Sequence, residues 1–175
     1  EHLNPMLPFL DEVVYAGGGD CPAGMTPWAQ LEKDGAAIPD EALREIGEGL
    51  DCHEVINMQY TSGTTGFPKG VMLSHYNILN NGKGIGDCMK FTEKDRLCVV
   101  VPFFHCFGLV LATMASLTHC TTMVPVDLYS PVKVMDAITR EHCTAFHGVP
   151  TMYIAMLDHP DFDKYDFSSL RTGIM

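Results

Sequence analysis

The chain has 175 residues, enough for one domain of ordinary size and too few for a large multidomain enzyme. Its 46% hydrophobic and 19% charged residues exclude a disordered chain. With 22 acidic and 11 basic side chains the formal charge is −11, so a phosphate backbone would be repelled and we expect no nucleic-acid partner.

The acidic residues are concentrated at the start of the chain. Twelve acids but only two bases, Lys33 and Arg44, precede residue 57, so any chemistry that binds anions is expected after that point. An apolar segment at 12–15 and short helices at 26–31 and 39–46 are the elements predicted here. We interpret residues 1–54 as an acidic N-terminal segment of the same domain as the core, residues 55–175.

From residue 55 onward, apolar runs alternate with helical stretches, which predicts an α/β fold with a mainly parallel sheet flanked by helices. The last six residues, 170–175, resemble a further strand. The predicted strands are 55–60, 71–73, 97–101, 121–126 and 144–147, and the predicted helices are 74–90, 109–117, 131–141 and 151–157, the first of them capped by Ser74.

Residues 97–126 carry no Asp, Glu, Lys or Arg and are numerous enough to cross a bilayer. Pro102, His105 and Gly108 interrupt this stretch, which favours a buried strand, a loop and a buried helix over a spanning helix. We therefore expect no transmembrane segment.

The seven cysteines are an odd number without a C-x-x-C pair, so neither a disulfide framework nor a zinc ribbon is indicated. Reduced thiols suit a cytoplasmic protein. Peripheral attachment to a membrane is the alternative location.

Residues 60–70, with the sequence YTSGTTGFPKG, have the composition of a polyphosphate-binding loop. Three glycines permit tight turns with free amide groups, while the hydroxyls and Lys69 add donors. An ordinary polar hairpin loop is the alternative. A Walker-type loop is excluded. In that pattern a lysine directly follows the last glycine and a helix begins, whereas here Lys69 follows Pro68 and a strand-like segment comes next.

This loop resembles the glycine-rich core motif of the adenylate-forming superfamily, which comprises acyl-CoA synthetases, luciferases and nonribosomal adenylation domains. VPFFHCFG at 101–108 and GVPT at 148–151 resemble further motifs of that family. Fatty-acid–CoA ligases are the most similar members. The resemblance implies part of the large N-terminal domain of an acyl-CoA synthetase that uses ATP, Mg²⁺ and CoA.

The resemblance also assigns roles to residues of the loop. Lys69 and Thr61 would be catalytic, Lys69 by pairing with the β- and γ-phosphates and Thr61 by helping to hold Mg²⁺. The residues implied in nucleotide binding are Thr61, Ser62, Gly63, Thr64, Thr65, Gly66 and Lys69.

Phe104, His105, Gly108 and Leu109 correspond to residues that line the acyl pocket in the family. For His105, a place in the hydrophobic core is the alternative. Adenylation domains for amino acids carry an Asp near this motif, whereas no acidic residue lies between Asp95 and Asp127 in this chain. The expected substrate is a fatty acid, with an aryl acid as the alternative.

The family's adenine-binding, ribose-binding and C-terminal segments are not found in this sequence. We therefore expect a fragment that is inactive alone and that self-associates through an incompletely paired sheet. The alternatives are an aryl-CoA ligase, a luciferase-like adenylating enzyme, or a stand-alone ATP-binding or interaction module.

Overall fold

The computed structural model describes residues 10–62 and 66–175. The chain divides into two compact units, of which the first extends to Asp51 and the second begins at Cys52. That both parts belong to one domain stays a prediction.

The first unit contains small elements with exposed surfaces. Pro27 and Pro39 precede its two helices in extended conformation, and Asp40 and Glu41 lie in the first turn of the second helix, where the helix dipole favours negative charge. Neither helix contains a buried residue. The elements are β1 (Val14–Tyr15), β2 (Thr26–Pro27), which pairs parallel with β1, α1 (Trp28–Gly35) and α2 (Asp40–Glu48).

The second unit alternates strands and helices as the sequence predicts. Its elements are β3 (Val55–Thr61), β4 (Lys69–Ser74), α3 (His75–Met89), β5 (Arg96–Val99), a π-helix (Phe107–Met114), α4 (Ala115–Thr118), β6 (Thr122–Pro125), α5 (Pro131–Glu141), β7 (Ala145–His147), α6 (Pro150–Leu157), a 3₁₀ turn (Phe162–Lys164) and β8 (Thr172–Ile174).

Four of these strands form a parallel sheet in the order β6-β5-β7-β8. Successive residues of β5 point to opposite faces, because side chains alternate along a strand. Leu97 and Val99 pack with the cluster that contains residues of the π-helix and α4, whereas Cys98 packs with α5 and α6. Both faces of the sheet are therefore covered, and the predicted α/β class is confirmed.

The first two strands of this unit form a separate antiparallel hairpin, in which β3 pairs with β4. The sequence predicted both strands but not their direction. Only seven residues connect them, and a parallel pair requires a crossover of a dozen or more. The length of the loop thus determines the antiparallel pairing.

The long helix α3 begins as predicted at the Ser74 cap. The Ser74 hydroxyl accepts a hydrogen bond from the Asn77 N–H, and the Asn77 side chain accepts one from the Ser74 N–H. This reciprocal pair satisfies two backbone donors at the start of the helix.

The helix predicted at 109–117 starts earlier and is wider than expected. Residues Phe107–Met114 are π-helical, and the Ala115 N–H donates to the carbonyl of Val110, five residues back. Apolar composition predicts a buried helix but does not specify its hydrogen-bond period. In the described part of the chain, no helix has the length and apolar character needed to cross a bilayer.

An ion pair closes the amino-terminal end of the parallel sheet. Arg171, just before β8, donates from Nε and Nη2 to the two carboxylate oxygens of Asp95, just before β5, at 2.9 and 2.7 Å. Burial raises the pKa of Asp95, but hydrogen bonds from Arg171, Thr144 and Thr92 outweigh it and hold that pKa well below its ordinary value. The Asp95 carboxylate is thus buried with a half-exposed arginine as its partner, at the end of the sheet opposite to the loops that follow β5 and β7.

Candidate functional site

The hairpin β3–β4 presents the two ends of the glycine-rich loop side by side. Thr61 and Lys69 are directly opposite residues in the strand register. Directly opposite side chains in an antiparallel pair have Cβ atoms about 4.5–5.5 Å apart and lie on the same face. A side chain with a hydroxyl and a side chain with an ammonium group therefore start from the same face of the hairpin, where the loop begins and ends.

The described part of the loop is open to solvent. Thr61, Ser62, Gly66 and Lys69 are all exposed, and among the described residues none of the ion pairs includes Lys69. Gly66 has φ of +93°, a conformation that favours glycine. Gly63, Thr64 and Thr65, which were predicted to bind nucleotide, lie outside the described residues.

The second motif forms the loop between β5 and the π-helix, at the carboxyl-terminal edge of the parallel sheet. Phe104 is 84% exposed and His105 is exposed as well, so His105 is not a core residue. The Phe107 N–H donates to His105 Nδ1 at 3.1 Å. In the neutral ring the proton is therefore on Nε2.

The other two predicted pocket residues lie in the π-helix itself. Gly108 is buried, and Leu109 is half-buried. Leu109 lines an apolar cleft of about 400 Å³ together with Ile78 and Leu79 of α3. A smaller cleft of about 230 Å³ lies between Leu111 of the π-helix, α3 and β4.

Neither of these clefts is lined by Phe104 or His105. The structure thus brings Leu109 to an apolar cleft and leaves Phe104 and His105 on the exposed loop before it. Leu73, which lines the smaller cleft, is in the same strand as Lys69. One strand therefore connects the glycine-rich loop with the smaller cleft.

Sequence reasoning missed His147, the last residue of β7. Its ring is fully buried and stacks with Phe91 and Phe107 at centroid distances of 6.4 and 5.7 Å. Burial lowers the pKa of His147, although a hydrogen bond to a backbone carbonyl opposes this shift. A histidine at the end of an apolar run, directly before the GVPT motif, was the available signal.

The pattern of the family described as "AMP-binding enzyme" matches residues 14–175. The chain belongs to this family. It is 52% identical over 168 residues to "Putative acyl-CoA synthetase YngI" of Bacillus subtilis, covering 96% of this chain and 30% of that protein. It is 45% identical over 141 residues to "Medium-chain acyl-CoA ligase ACSF2, mitochondrial" of Bos taurus, covering 76% of this chain and 22% of that protein.

A solved structure, ATP-bound MatB from Rhodopseudomonas palustris, superposes with a TM-score of 0.65 at 33% identity. The match covers 71% of this chain and 24% of MatB. The predicted resemblance to adenylate-forming enzymes is therefore confirmed. The chain spans less than a third of the length of these relatives.

Proposed function

We propose that this chain is part of an ATP-dependent acyl-CoA synthetase that activates a fatty acid as the acyl-adenylate and then transfers the acyl group to CoA. The observation that carries the proposal is the pairing of Thr61 with Lys69 at the mouth of the glycine-rich loop. Family membership and the names of the relatives support it.

The chemistry of adenylation requires these groups. When a carboxylate attacks the α-phosphate of ATP, negative charge accumulates on the departing pyrophosphate. The exposed ammonium of Lys69 would neutralise charge on the β- and γ-phosphates, and the hydroxyls of Thr61 and Ser62 would donate to phosphate oxygens. Gly63, Thr64, Thr65 and Gly66 complete the loop in this proposal, with backbone amides and hydroxyls.

The hydroxyl of Thr61 suits Mg²⁺, because this ion prefers oxygen ligands and usually takes few of them from the protein. The Lys69 ammonium opposite Thr61 would repel a cation that arrived alone. The two groups are therefore compatible with Mg²⁺ that arrives bound to the triphosphate. When bound, the ion would neutralise phosphate charge as a Lewis acid.

The acyl group would bind near the π-helix in this proposal. Leu109 already lines an apolar cleft, and Phe104, His105 and Gly108 lie next to it in the sequence. Residues 96–126 contain no carboxylate to bind the ammonium of an amino acid. A substrate without an α-amino group, such as a fatty acid, fits this composition. CoA is the expected acyl acceptor.

The test compares Lys69→Ala with Lys83→Ala in the full-length ligase that we propose contains this chain. Lys83 is an exposed lysine of α3, paired with Asp87, and serves as the matched control. Lys69→Ala should slow carboxylate-dependent ATP–pyrophosphate exchange by about 100-fold or more, because it removes charge stabilisation from the leaving group. Transfer from preformed acyl-adenylate to CoA should fall much less.

Equal losses in both half-reactions would contradict the role of Lys69. If the wild-type ligase activates benzoate but no fatty acid, the aryl-CoA alternative replaces the proposal. The 175-residue chain alone should show no exchange, because the resemblance implies that adenine-binding and C-terminal segments are also needed. Exchange by this chain above a buffer blank would contradict that expectation.

A further inference from the structure

His147 is the one fully buried histidine among the described residues and has an unusual set of contacts. Nε2 lies 3.2 Å from the carbonyl oxygen of Leu111, in the π-helix. Nδ1 is buried and has no hydrogen-bond partner among the described residues. A ring kept neutral by burial has one N–H, and the carbonyl partner requires that it be on Nε2.

An unpaired buried acceptor is unfavourable, so an apolar residue would be the better choice for stability alone at this position. The hydrogen bond to Leu111 is what histidine adds. The donor is aimed at the π-helix and not at the sheet that carries it. This points to a role in placing the π-helix.

The two contacts of His147 with the π-helix lie on either side of two of the four predicted acyl-pocket residues. The ring stacks on Phe107 at 5.7 Å and binds the carbonyl of Leu111 at 3.2 Å. Gly108 and Leu109 lie between these two anchor points. Because β7 is an inner strand of the sheet, between β5 and β8, its last residue is held in a fixed place.

We propose that His147 is a positioning residue, which fixes the π-helix so that Leu109 sets the depth of the acyl cleft and hence the preferred acyl-chain length. The proposal rests on the proposed function. His147 itself would not touch the reacting atoms. Small displacements of a pocket wall are sufficient to change rates strongly, because reactivity depends on placement within about 1 Å.

The experiment uses three variants of the full-length ligase. His147→Met keeps a side chain of similar size but has no donor, whereas His147→Gln keeps an N–H close to the position of Nε2. Val134→Ala is the matched control, because Val134 is fully buried in α5, in the core cluster on the opposite face of the sheet. The readouts are the ratio of kcat/KM for octanoate and palmitate, and hydrogen exchange of the amides in residues 107–114.

We expect His147→Met to change the octanoate-to-palmitate ratio by about fivefold or more and to speed exchange of the π-helix amides by about tenfold, since a displaced wall and a lost anchor act together. His147→Gln and Val134→Ala should stay within about twofold of wild type in both readouts. If His147→Met does not fold, His147→Asn replaces it, because its shorter amide does not reach the Leu111 carbonyl.

An active wild-type ligase whose ratio is unchanged in the donor-free variant would overturn this inference and leave the proposed function intact. The inference would also be overturned if Val134→Ala changed the octanoate-to-palmitate ratio as much as His147→Met does, because the effect would then come from a general loss of stability. A wild-type ligase that activates no carboxylic acid would overturn the proposed function itself. Hydrogen exchange would still report whether His147 anchors the π-helix.

Discussion

The parallel sheet and the β3–β4 hairpin both contain many apolar side chains, which are buried in the sheet and exposed in the hairpin. In β5, Leu97, Cys98 and Val99 have no exposed surface. In β3, by contrast, Met58 is 49% exposed and Tyr60 is 70% exposed. Both strands are rich in apolar residues, but only the sheet is covered on both faces.

Within the second unit, the region that stabilises the fold therefore differs from the region that carries the residues proposed to bind nucleotide. The sheet derives its stability from burial, whereas the hairpin derives its shape from backbone pairing and from the short loop that it carries. Thr61 and Lys69 are exposed because the hairpin is not covered, and this exposure suits the nucleotide-binding role that we propose for them. We therefore expect substitutions in the two regions to have very different costs.

The largest expected effect is that of a cavity in the sheet. Leu97→Ala should lower the free energy of unfolding by about 3 kcal/mol, because it removes a fully buried side chain from a packed core. Met58→Ala, a similar truncation in the hairpin, should cost less than about 1 kcal/mol. Urea denaturation of the 175-residue chain measures both. Equal losses would mean that the hairpin is part of the core.

A smaller effect is expected at the amino-terminal end of the sheet. Asp95→Asn should lower the free energy of unfolding by about 2 kcal/mol at pH 7, because Arg171 loses its buried counter-charge. The Arg171 side chain is 40% exposed and regains some contact with water, which keeps the loss below that of a fully buried pair. An unchanged urea midpoint would contradict the assignment of this ion pair as stabilising.

The pH dependence of Asp95 provides a sharper test of the same ion pair. Folding lowers the pKa of Asp95. The stabilisation by its carboxylate is therefore fully present above about pH 4, the pKa in the unfolded chain, and is lost progressively as the pH falls from there toward the lower pKa of the folded chain. The difference between wild type and Asp95→Asn should narrow by about 1 kcal/mol between pH 5 and pH 3. A constant difference across this range would show that the carboxylate charge does not matter.

The smallest effect concerns association. The 175-residue chain should form dimers or larger species at micromolar concentrations, because apolar side chains such as Ile56 and Leu157 are exposed and the sheet has edge strands at β6 and β8. Its charge of −11 should keep this association weak. Sedimentation across a concentration series measures it. A single 19.3 kDa species that binds no hydrophobic dye would contradict the prediction.

Much of the fold was predictable from sequence because apolar runs and cap residues act locally. The helix at 131–141 and the Ser74 cap were predicted correctly. The π-helix was not, because its hydrogen-bond period leaves no mark on composition. The Asp95–Arg171 pair was also missed, since periodicity does not identify partners that are 76 residues apart.

The candidate site was predicted in part. The motifs pointed to Thr61 and Lys69, and the structure makes them opposite residues of a hairpin. The roles assigned to them and to Phe104, His105, Gly108 and Leu109 stay predictions. His147 was missed because its significance comes from the tertiary contact with Leu111, on an element 36 residues away.

The Asp95–Arg171 pair also has a consequence for synthesis of the chain on the ribosome. Arg171 donates to the carbonyls of Met89 and Lys90 as well as to Asp95, so it joins the end of α3 to the starts of β5 and β8. Domains generally fold as units during synthesis, so the parallel sheet is expected to form only when all of its strands are available. A sheet formed without residue 171 would leave Asp95 with only the Thr92 and Thr144 contacts and with an unneutralised carboxylate. The ion pair, and with it the complete four-stranded sheet, can therefore form only after residue 171 has left the ribosome.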